Sequence, residues 1–364
     1  MQYSTFAAID IGSYDVILEI FEISKKQGIR SVDKICHRME LGKDTYTLGK
    51  IRPEMEEELC RVLADFVRIM EGYRVDAYRA MASSAISEAA NSLYVLGKIR
   101  QLTGLSVTVL SNSEQRFLGY KALAAMEDNF NKVIEKGTAI LDLDGGSFQI
   151  SLFDKDALVT TQNIRMGSLR VRERLAGIQS ETEHYEEMVE ELIWNEVSSF
   201  KKMYLKDRKI ENIMLIGDVF TDSVYQNIEE KTTKIISREN FNTWYEKIIR
   251  QSPMELAVKL GIPLENASLM YPSAVIYKCL IDMMEAEHVW IPGVHMTRGI
   301  AYEYAEQMKL QKGSHNFEND ILMAAKNIGK RYAVNRPHVQ NLEMTALAMF
   351  DATKKMHGMK ERER

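Results

Sequence analysis

Two distant segments of the sequence each end an apolar run with an aspartate and then turn through glycine and serine. The first contains Asp10, Gly12 and Ser13, and the second contains Asp142 followed by Gly145-Gly146-Ser147. Glycine lets the backbone approach an anion closely, and successive amides with a serine hydroxyl can cradle phosphate oxygens. Aspartate repels phosphate unless a divalent cation lies between them. These residue types therefore predict a site for phosphate and a metal ion.

The predicted roles follow from what each residue type can donate. We expect the metal, Mg²⁺ or Mn²⁺, to be held by Asp10 and Asp142. We expect phosphate to contact the turn residues Gly12, Ser13, Gly145, Gly146 and Ser147. A single turn of this composition is common turn chemistry. Turn chemistry alone, however, does not require the preceding strand to be repeated as well.

A second apolar run follows each turn, at Val16-Ile17-Leu18-Glu19-Ile20 and at Gln149-Ile150-Ser151-Leu152. Each segment is thus predicted to be a β-hairpin, built twice in one chain. Strands alternate with helices elsewhere, which indicates an α/β fold. The predicted helices include 53–72, one from Ser84 past Leu96, 113–129, 181–205, 240–251, 253–260, 271–285, 317–332 and 337–356. Two α/β lobes with a hairpin at the mouth of each imply a cleft between them.

Length and composition set the limits of the interpretation. A chain of 364 residues is too long for one core, and we expect lobes at 1–125 and 126–311, with the linker 312–315 opening a helical segment at 312–364. A net charge of −5 gives no general attraction to nucleic acid. The three cysteines are odd in number and widely spaced, which argues against a disulfide framework. No apolar segment is long enough to span a membrane, and we expect a cytoplasmic protein.

Further segments resemble, in the correct order, motifs of the exopolyphosphatase and guanosine pentaphosphate phosphohydrolase (Ppx/GppA) family of the actin-like ATPase superfamily. Residues 10–13 look like its first phosphate loop, and 82–91 resemble its Ala-Thr-Ser-Ala-Leu-Arg-Glu-Ala-x-Asn segment. Residues 111–116 take the place of a Ser-Gly-Glu-Glu-Glu-Ala segment, and 142–149 that of Asp-x-Gly-Gly-Gly-Ser-Thr-Glu. The resemblance implies two actin-like (ribonuclease H-like) lobes. It also implies that 312–364 begins a truncated helical domain, of the His-Asp type found in longer members.

The family's chemistry, as the resemblance implies it, releases a terminal phosphate by attack of water, with Mg²⁺ bridging the phosphates and a glutamate activating the water. Gln115 aligns best with that glutamate, and Gln149 with the glutamate that ends the second loop. A carboxamide cannot accept a proton near neutral pH. Ser87 replaces a phosphate-binding arginine. Asp144 replaces the first glycine of the second loop, where it could serve as a further cation ligand.

Glu114 is the acidic residue nearest to the missing glutamate. Neighbouring helical residues are about 100° apart, so Glu114 and Gln115 cannot both point at one water molecule. Its alternative role is that of an acidic residue in the first turn of a helix, where the dipole favours it. The candidate catalytic positions are therefore Glu114, Gln115 and Gln149.

Two functions remain open from the sequence, and a third, kinase-like use of ATP, fits least because the resemblance is to the phosphohydrolase branch rather than to the sugar kinases. The first is a hydrolase, weakened by loss of the glutamates, that acts on inorganic polyphosphate or guanosine pentaphosphate with Mg²⁺. The alternative is a catalytically inactive regulatory protein of the same fold that binds polyphosphate or a nucleotide such as guanosine tetraphosphate. Neither a membrane nor a specific nucleic acid is expected as a partner, and a homodimer is compatible with both hypotheses.

Overall fold

The computed structural model describes residues 3–126, 130–155, 157–176, 185–205, 208–227, 235–311, 315 and 317–359. The chain divides into two compact units, Met1–Phe317 and Glu318–Arg364. In the described part, none of the helices combines the length and the apolar character that crossing a membrane requires.

The first sheet of the larger unit has the strand order β3-β2-β1-β4-β5. Its strands are β1 (Ser4–Ile11), β2 (Asp15–Ser24), β3 (Gly28–Arg38), β4 (Ala77–Ala82) and β5 (Val107–Val109). The first three strands form an antiparallel meander, whereas β1 pairs in parallel with β4 and β4 with β5. The predicted first hairpin is therefore the β1–β2 pair.

The second sheet has the order β10-β11-β9-β6-β7-β8. Its strands are β6 (Thr138–Leu143), β7 (Phe148–Asp154), β8 (Ala157–Ile164), β9 (Asn212–Ile216), β10 (Ile235–Ser237) and β11 (His288–Trp290). Starting from β8, its antiparallel meander and two parallel neighbours repeat the arrangement of the first sheet. The duplicated hairpin thus belongs to a duplicated lobe. The predicted α/β fold with two actin-like lobes is confirmed.

Helices connect and cover the strands. Before the second hairpin they are α1 (Leu41–Leu48), α2 (Pro53–Gly72), α3 (Ser84–Ser87), α4 (Ser92–Thr103), α5 (Asn112–Met126) and α6 (Phe130–Ile134). They continue as α7 (Ser168–Leu175), α8 (Tyr185–Phe200), α9 (Val219–Asn227), α10 (Arg238–Ile249), α11 (Pro253–Leu260), α12 (Leu264–Met284) and α13 (Met296–Gln307). One π-helical turn, Lys201–Leu205, follows α8. Helices α14 (Phe317–Arg331), α15 (Arg336–Ala352) and α16 (Lys354–His357) complete the described chain.

Most predicted helices are confirmed, and α2 has the predicted bounds. The prediction of a single helix from Ser84 past Leu96 is wrong, because the helix is interrupted between the end of α3 and the start of α4. There the Asn91 side chain donates to the Ile51 carbonyl at 2.8 Å and accepts from its amide at 3.0 Å. Residues 127–129, 181–184 and 312–314 of other predicted segments lie outside the described residues.

The central strands of the two lobes are fully buried just before their aspartates. Ile9 and Ile11 in β1, like Leu141 and Leu143 in β6, have at most 1% of their surface exposed. Burying an aliphatic side chain of this size contributes about 1.5–3 kcal/mol. The alternation of these residues fixes which face of each strand is apolar, and it therefore fixes where each strand-end aspartate lies.

Candidate active site

The two hairpin turns face each other, as the sequence predicts. Ser13 Oγ in the first turn lies 3.4 Å from Asp144 Oδ2 in the second. A Cβ atom on Gly145 would lie 3.2 Å from Ser13 Cβ. The turns are therefore in direct contact, and the cleft between the lobes opens beside them.

A short helix holds each turn from outside. The Gly42 amide in α1 donates to the Ser13 carbonyl at 2.7 Å, and the Arg170 amide in α7 donates to the Gly145 carbonyl at 2.9 Å. Each turn also closes on itself, because Gly12 N donates to Asp15 O at 2.9 Å and Asp144 N donates to Ser147 O at 2.9 Å. Neither turn therefore depends on a ligand for its shape.

The cleft has a volume of about 400 Å³ and an unusual concentration of carboxylates. Its lining includes the aspartates Asp10, Asp15, Asp142, Asp144, Asp218 and Asp222. The basic side chains that line it are Lys34 and Arg38 of β3 and, when protonated, His295. The cleft is thus richer in negative than in positive groups, which opposes binding of a phosphate anion without an added cation.

Burial and mutual repulsion raise the pKa values of Asp10, Asp142 and Asp144. Burial raises the pKa of Asp142 to about 7, with a further contribution from Asp144. Burial likewise raises the pKa of Asp144 to about 6, against hydrogen bonds from the Gly145 amide and from Ser13. The pKa of Asp10 is raised by burial and then by the charges of Asp15, Asp144 and Asp142. The strand ends therefore bring together charges that the protein alone does not neutralise.

The donor set suits a hard divalent cation. Asp10, Asp142 and Asp144 offer only carboxylate oxygens, the ligands that Mg²⁺ and Mn²⁺ prefer. Among the described residues, no three Asp, Glu, His or Cys side chains converge closely enough to hold a metal by themselves. Mg²⁺ is commonly bound through one or two carboxylates plus water and substrate phosphates. The residues present therefore fit a cation that is completed by its substrate.

Gln115 lies at the cleft beside Asp144, and its side-chain amide lowers the pKa of the Asp144 carboxyl. Position 115 thus supplies an amide, and the neighbouring carboxylate comes from position 144. If both positions carried carboxylates, the two charges would repel each other at this contact. The pair Gln115 and Asp144 therefore forms one matched unit of the second turn.

Gln149 lies behind the cleft and accepts a hydrogen bond of 3.0 Å from Arg116 Nε. Both side chains are buried, at 3% and 8% exposure. Burial lowers the pKa of Arg116, although the Asp142 charge acts in the opposite direction. The structure therefore gives Gln149 the role of a partner for a buried arginine.

Glu114 is placed outside the cleft, in the first turn of α5. Its carboxylate accepts hydrogen bonds from the Ser111 amide at 2.8 Å and the Ser111 hydroxyl at 2.7 Å. The Glu114 amide donates back to Ser111 Oγ at 3.3 Å, which completes a capping box. These hydrogen bonds lower the pKa of Glu114. The geometry matches the helix-start alternative rather than contact with the carboxylate cluster.

The predicted phosphate ligands divide into two groups. Gly12 and Gly145 line the cleft. Ser13 and Ser147 are buried, at 0% and 8% exposure, and with Gly146 they are absent from the described lining. Ser13 Oγ is instead hydrogen-bonded to the Tyr46 hydroxyl at 2.7 Å.

Several groups at the site were not predicted as site residues from the sequence. Asp15 begins β2, and Asp218 and Asp222 lie at the start of α9. Asp218 follows the buried strand β9, which runs parallel to β6 and ends at the same edge of the sheet. An aspartate just after a buried strand is therefore the signal that could have identified it. Its pKa is raised by burial to about 7.

The two lobes are tied together around the turns. The Tyr14 hydroxyl of the first turn donates to Asn266 Oδ1 of α12 at 2.8 Å. From α7, Arg170 forms an ion pair with Glu88 at 3.0 Å, and Arg172 forms one with Glu40 at 2.9 Å. Both glutamates belong to the first lobe, so these contacts hold the lobes in a closed arrangement.

A sequence model described as the Ppx/GppA phosphatase family matches residues 19–308. The chain is 21% identical over 238 residues to a bifunctional 3-dehydroquinate synthase/phosphatase of Fusobacterium nucleatum, covering 62% of this chain and 34% of that protein. It is 19% identical over 351 residues to a guanosine-5′-triphosphate,3′-diphosphate pyrophosphatase of Photobacterium profundum, covering 95% of this chain and 67% of that protein. The chain thus spans about a third of the first relative and two thirds of the second.

Solved structures share the same fold. An exopolyphosphatase from Cytophaga hutchinsonii superposes with a TM-score of 0.72 at 17% identity, covering 85% of this chain and all of that one. A Ppx/GppA protein from Aquifex aeolicus superposes with a TM-score of 0.69 at 18% identity over the same shares of the two chains.

Proposed function

The chain belongs to the Ppx/GppA phosphatase family, and we propose that it releases terminal phosphate from inorganic polyphosphate or guanosine pentaphosphate with Mg²⁺, slowly. The observation that carries the proposal is the direct contact between two duplicated turns beside a carboxylate-lined cleft. The relatives named above support this substrate class, since one is an exopolyphosphatase and another a guanosine-5′-triphosphate,3′-diphosphate pyrophosphatase.

The strand-end carboxylates would hold the cation. Asp10 and Asp142 end the central strands, and Asp144 lies beside them in the second turn. Mg²⁺ or Mn²⁺, when bound, neutralises charge on phosphate oxygens and so favours displacement of the terminal group. The turn backbone at Gly12 and Gly145 lines the same cleft, and it is positioned to orient the phosphate chain.

Slow release follows from the groups beside those carboxylates. Gln115 presents an amide, which orients a neighbour but does not take a proton from water. Gln149 is committed to Arg116 and is not available to the cleft. The base contribution of a positioned carboxylate is commonly about 10²–10⁴-fold in rate, so its loss leaves binding and electrostatic effects to act alone.

One specific observation favours a second candidate function, binding without turnover. Each glutamine acts on a specific neighbour, because the Gln115 amide lowers the pKa of Asp144 and Gln149 accepts a hydrogen bond from Arg116. A regulatory protein that binds polyphosphate or guanosine tetraphosphate would retain the turns and the cation site while losing hydrolysis.

Phosphate release from long-chain polyphosphate and from guanosine pentaphosphate, each with and without Mg²⁺, tests the proposal. The variants are Gln115→Glu, Gln149→Glu and the double change Gln115→Glu/Asp144→Gly. We expect slow Mg²⁺-dependent release by the unchanged chain and a large gain only in Gln115→Glu/Asp144→Gly. Gln149→Glu should change little, because its carboxylate would pair with Arg116.

The other outcomes discriminate between the candidates. No release by the unchanged chain, with retained binding by calorimetry, would favour the regulatory function. Robust release that Glu114→Ala abolishes would overturn the placement of the reacting groups in the cleft, since Glu114 caps α5.

A further inference from the structure

Three hydroxyl groups behind the facing turns form a closed ring of hydrogen bonds. Ser13 Oγ lies 2.7 Å from the Tyr46 hydroxyl and 3.2 Å from Ser84 Oγ, and the Tyr46 hydroxyl lies 2.8 Å from Ser84 Oγ. Each hydroxyl has one proton to donate. Either each hydroxyl donates to the next, or Ser13 donates to Asp144 Oδ2 at 3.4 Å while Tyr46 and Ser84 donate within the ring. Both arrangements leave no donor for an anion.

The Tyr46 phenol occupies the gap that the second turn leaves open. A Cβ atom on Gly146 would overlap the Tyr46 hydroxyl and would lie 2.5 Å from Ser84 Oγ. The gap is therefore bounded by a glycine backbone on one side and by two serine hydroxyls on the other. Glycine and hydroxyl groups around a small space are what a tetrahedral oxyanion requires.

A fixed positive charge covers the phenol. The Arg170 guanidinium carbon lies 3.8 Å from the centroid of the Tyr46 ring. Arg170 Nε donates to the Gly146 carbonyl at 2.9 Å, and its terminal nitrogen pairs with Glu88 at 3.0 Å. A cation at a phenol face contributes modest stability. Two of the Arg170 nitrogens are thus already engaged, and what the guanidinium offers a phosphoryl group in this space is its positive charge.

We propose that Tyr46 is a gate on an anion pocket made by Ser13, Ser84 and Arg170, and that a phosphoryl group enters only when the phenol turns out. This inference rests on the proposed function for the identity of the anion, and it adds a regulatory element to that site. The closed gate gives a second reason for slow release, independent of the glutamines.

The gate requires the Tyr46 ring to move outward. Tyr46 lies near the end of α1 and is only partly buried, so the movement starts from a side chain that already contacts solvent. Burial raises the pKa of the phenol, so the group that leaves is a neutral hydroxyl. Departure of the phenol frees the two serine hydroxyls beside the positive charge of Arg170.

Calorimetry with inorganic pyrophosphate, in the presence of Mg²⁺, tests the gate directly. We expect Tyr46→Ala to bind pyrophosphate about tenfold more tightly than the unchanged chain, because the serine hydroxyls become available beside the Arg170 charge. Tyr46→Phe keeps the ring and its packing, and it should give a smaller gain. Tyr94→Ala, at an exposed tyrosine of the same lobe, is the matched control and should leave affinity unchanged.

A second substitution separates the gate from a loosened fold. Arg170→Gln in the Tyr46→Ala background should remove the gain in affinity. Persistence of the gain without Arg170 would overturn the assignment of Arg170 to the pocket. Equal pyrophosphate affinity in the unchanged chain, Tyr46→Phe and Tyr46→Ala would overturn the gate, as would absence of binding by all three.

A spectroscopic measurement reports on the residue itself. With 3-fluorotyrosine at position 46, saturating pyrophosphate should move the ¹⁹F resonance toward the position of a solvent-exposed tyrosine. An unmoved resonance at saturation would contradict the gate.

Tighter binding by Tyr46→Ala without phosphate release by any variant would retain the gate and reject the proposed function. Phosphate release by the unchanged chain, together with a pyrophosphate affinity that does not change in the Tyr46 variants, would retain the proposed function and reject the gate.

Discussion

The first and second turns have the same backbone plan and different side chains. In each, a central strand ends in an aspartate, and the turn closes through one internal hydrogen bond of 2.9 Å. Each is then held by a helix that follows the third strand of the meander, α1 at the Ser13 carbonyl and α7 at the Gly145 carbonyl. Duplication has therefore retained the scaffold as a unit that includes the supporting helix.

The supporting helices differ in the side chains they direct at the turns. Helix α1 contributes Tyr46, which fills the space beside Gly146. Helix α7 contributes Arg170, which covers Tyr46, and Arg172, which pairs with Glu40 of the other lobe. The helix that supports the first turn thus supplies an aromatic side chain, and the helix that supports the second turn supplies positive charge. The two helices therefore differ in the side chains that they place at the site, while the two turns keep equivalent main-chain geometry.

The largest expected difference concerns the glycines at the start of the two helices. A Cβ atom on Gly167 would overlap backbone atoms of Asp144 and Gly145, which cannot move without opening the turn. On Gly42 it would meet the side chains of Tyr46 and Leu169 at 2.6 and 2.9 Å, which can shift, and would lie 3.0 Å from only one backbone atom, the Ser13 carbonyl oxygen. We expect Gly167→Ala to lower the free energy of unfolding by about 3 kcal/mol or more, and Gly42→Ala by about 1–2 kcal/mol.

Urea unfolding measures both losses. Gly97→Ala is the matched control, because the position is helical with nothing within 4 Å of the added atom. It should be neutral or stabilising by up to about 1 kcal/mol. Equal losses at Gly42 and Gly167 would contradict the claim that α7 is fitted more rigidly to its turn than α1.

The next largest effect is on the stabilisation by Mg²⁺, and it tests whether both turns share one cation. If they do, Asp10→Asn and Asp142→Asn should each remove most of the rise in melting temperature that Mg²⁺ produces. A change of 1 kcal/mol corresponds to a shift of about 2–4 °C in a domain of about 150–250 residues. Asp65→Asn, at an exposed position on α2, should leave the Mg²⁺ response intact. If Asp142→Asn removes the Mg²⁺-induced rise in melting temperature and Asp10→Asn does not, the cation belongs to the second turn alone.

Much of the fold could be predicted from the sequence, because the determining patterns are local. The repeated apolar run with Asp, Gly and Ser indicated both hairpins, since strand burial and turn chemistry depend on adjacent residues. Pro53 and the apolar periodicity of α2 gave that helix with its observed bounds. The pairing of the two turns followed from their repetition.

The two supporting helices could not be predicted in the same way. Neither α1 nor α7 has a side-chain cap at its start, and both are eight residues long. Their first turns are fixed by hydrogen bonds to Ser13 and Gly145, which are far away in the chain. The contact between Tyr46 and Arg170 likewise joins separate lobes. Only the folded chain brings these groups together.

A smaller effect concerns the pH dependence of the second turn in the metal-free protein. The folded pKa of Asp142 is raised to about 7, above the value of about 3.9 in unfolded chains. Stability from this group is therefore present below the unfolded pKa and is lost as pH rises through the folded pKa. Asp142→Asn should be more stable than the unchanged chain at pH 8, and this advantage should shrink at pH 5. Thermal unfolding in chelator measures it, and a constant advantage would reject the charge origin.

The smallest effect tests whether α7 holds the lobes together. The Arg172–Glu40 pair is 14% and 24% exposed, so it is less screened than a surface pair. A double-mutant cycle with Arg172→Met and Glu40→Gln should give a coupling energy of about 1 kcal/mol in urea unfolding. The exposed Arg250–Glu246 pair at the C-terminal end of α10 is the matched control, with about 0.3–0.5 kcal/mol expected. A coupling no larger than this control would mean that α7 supports its own turn without joining the lobes.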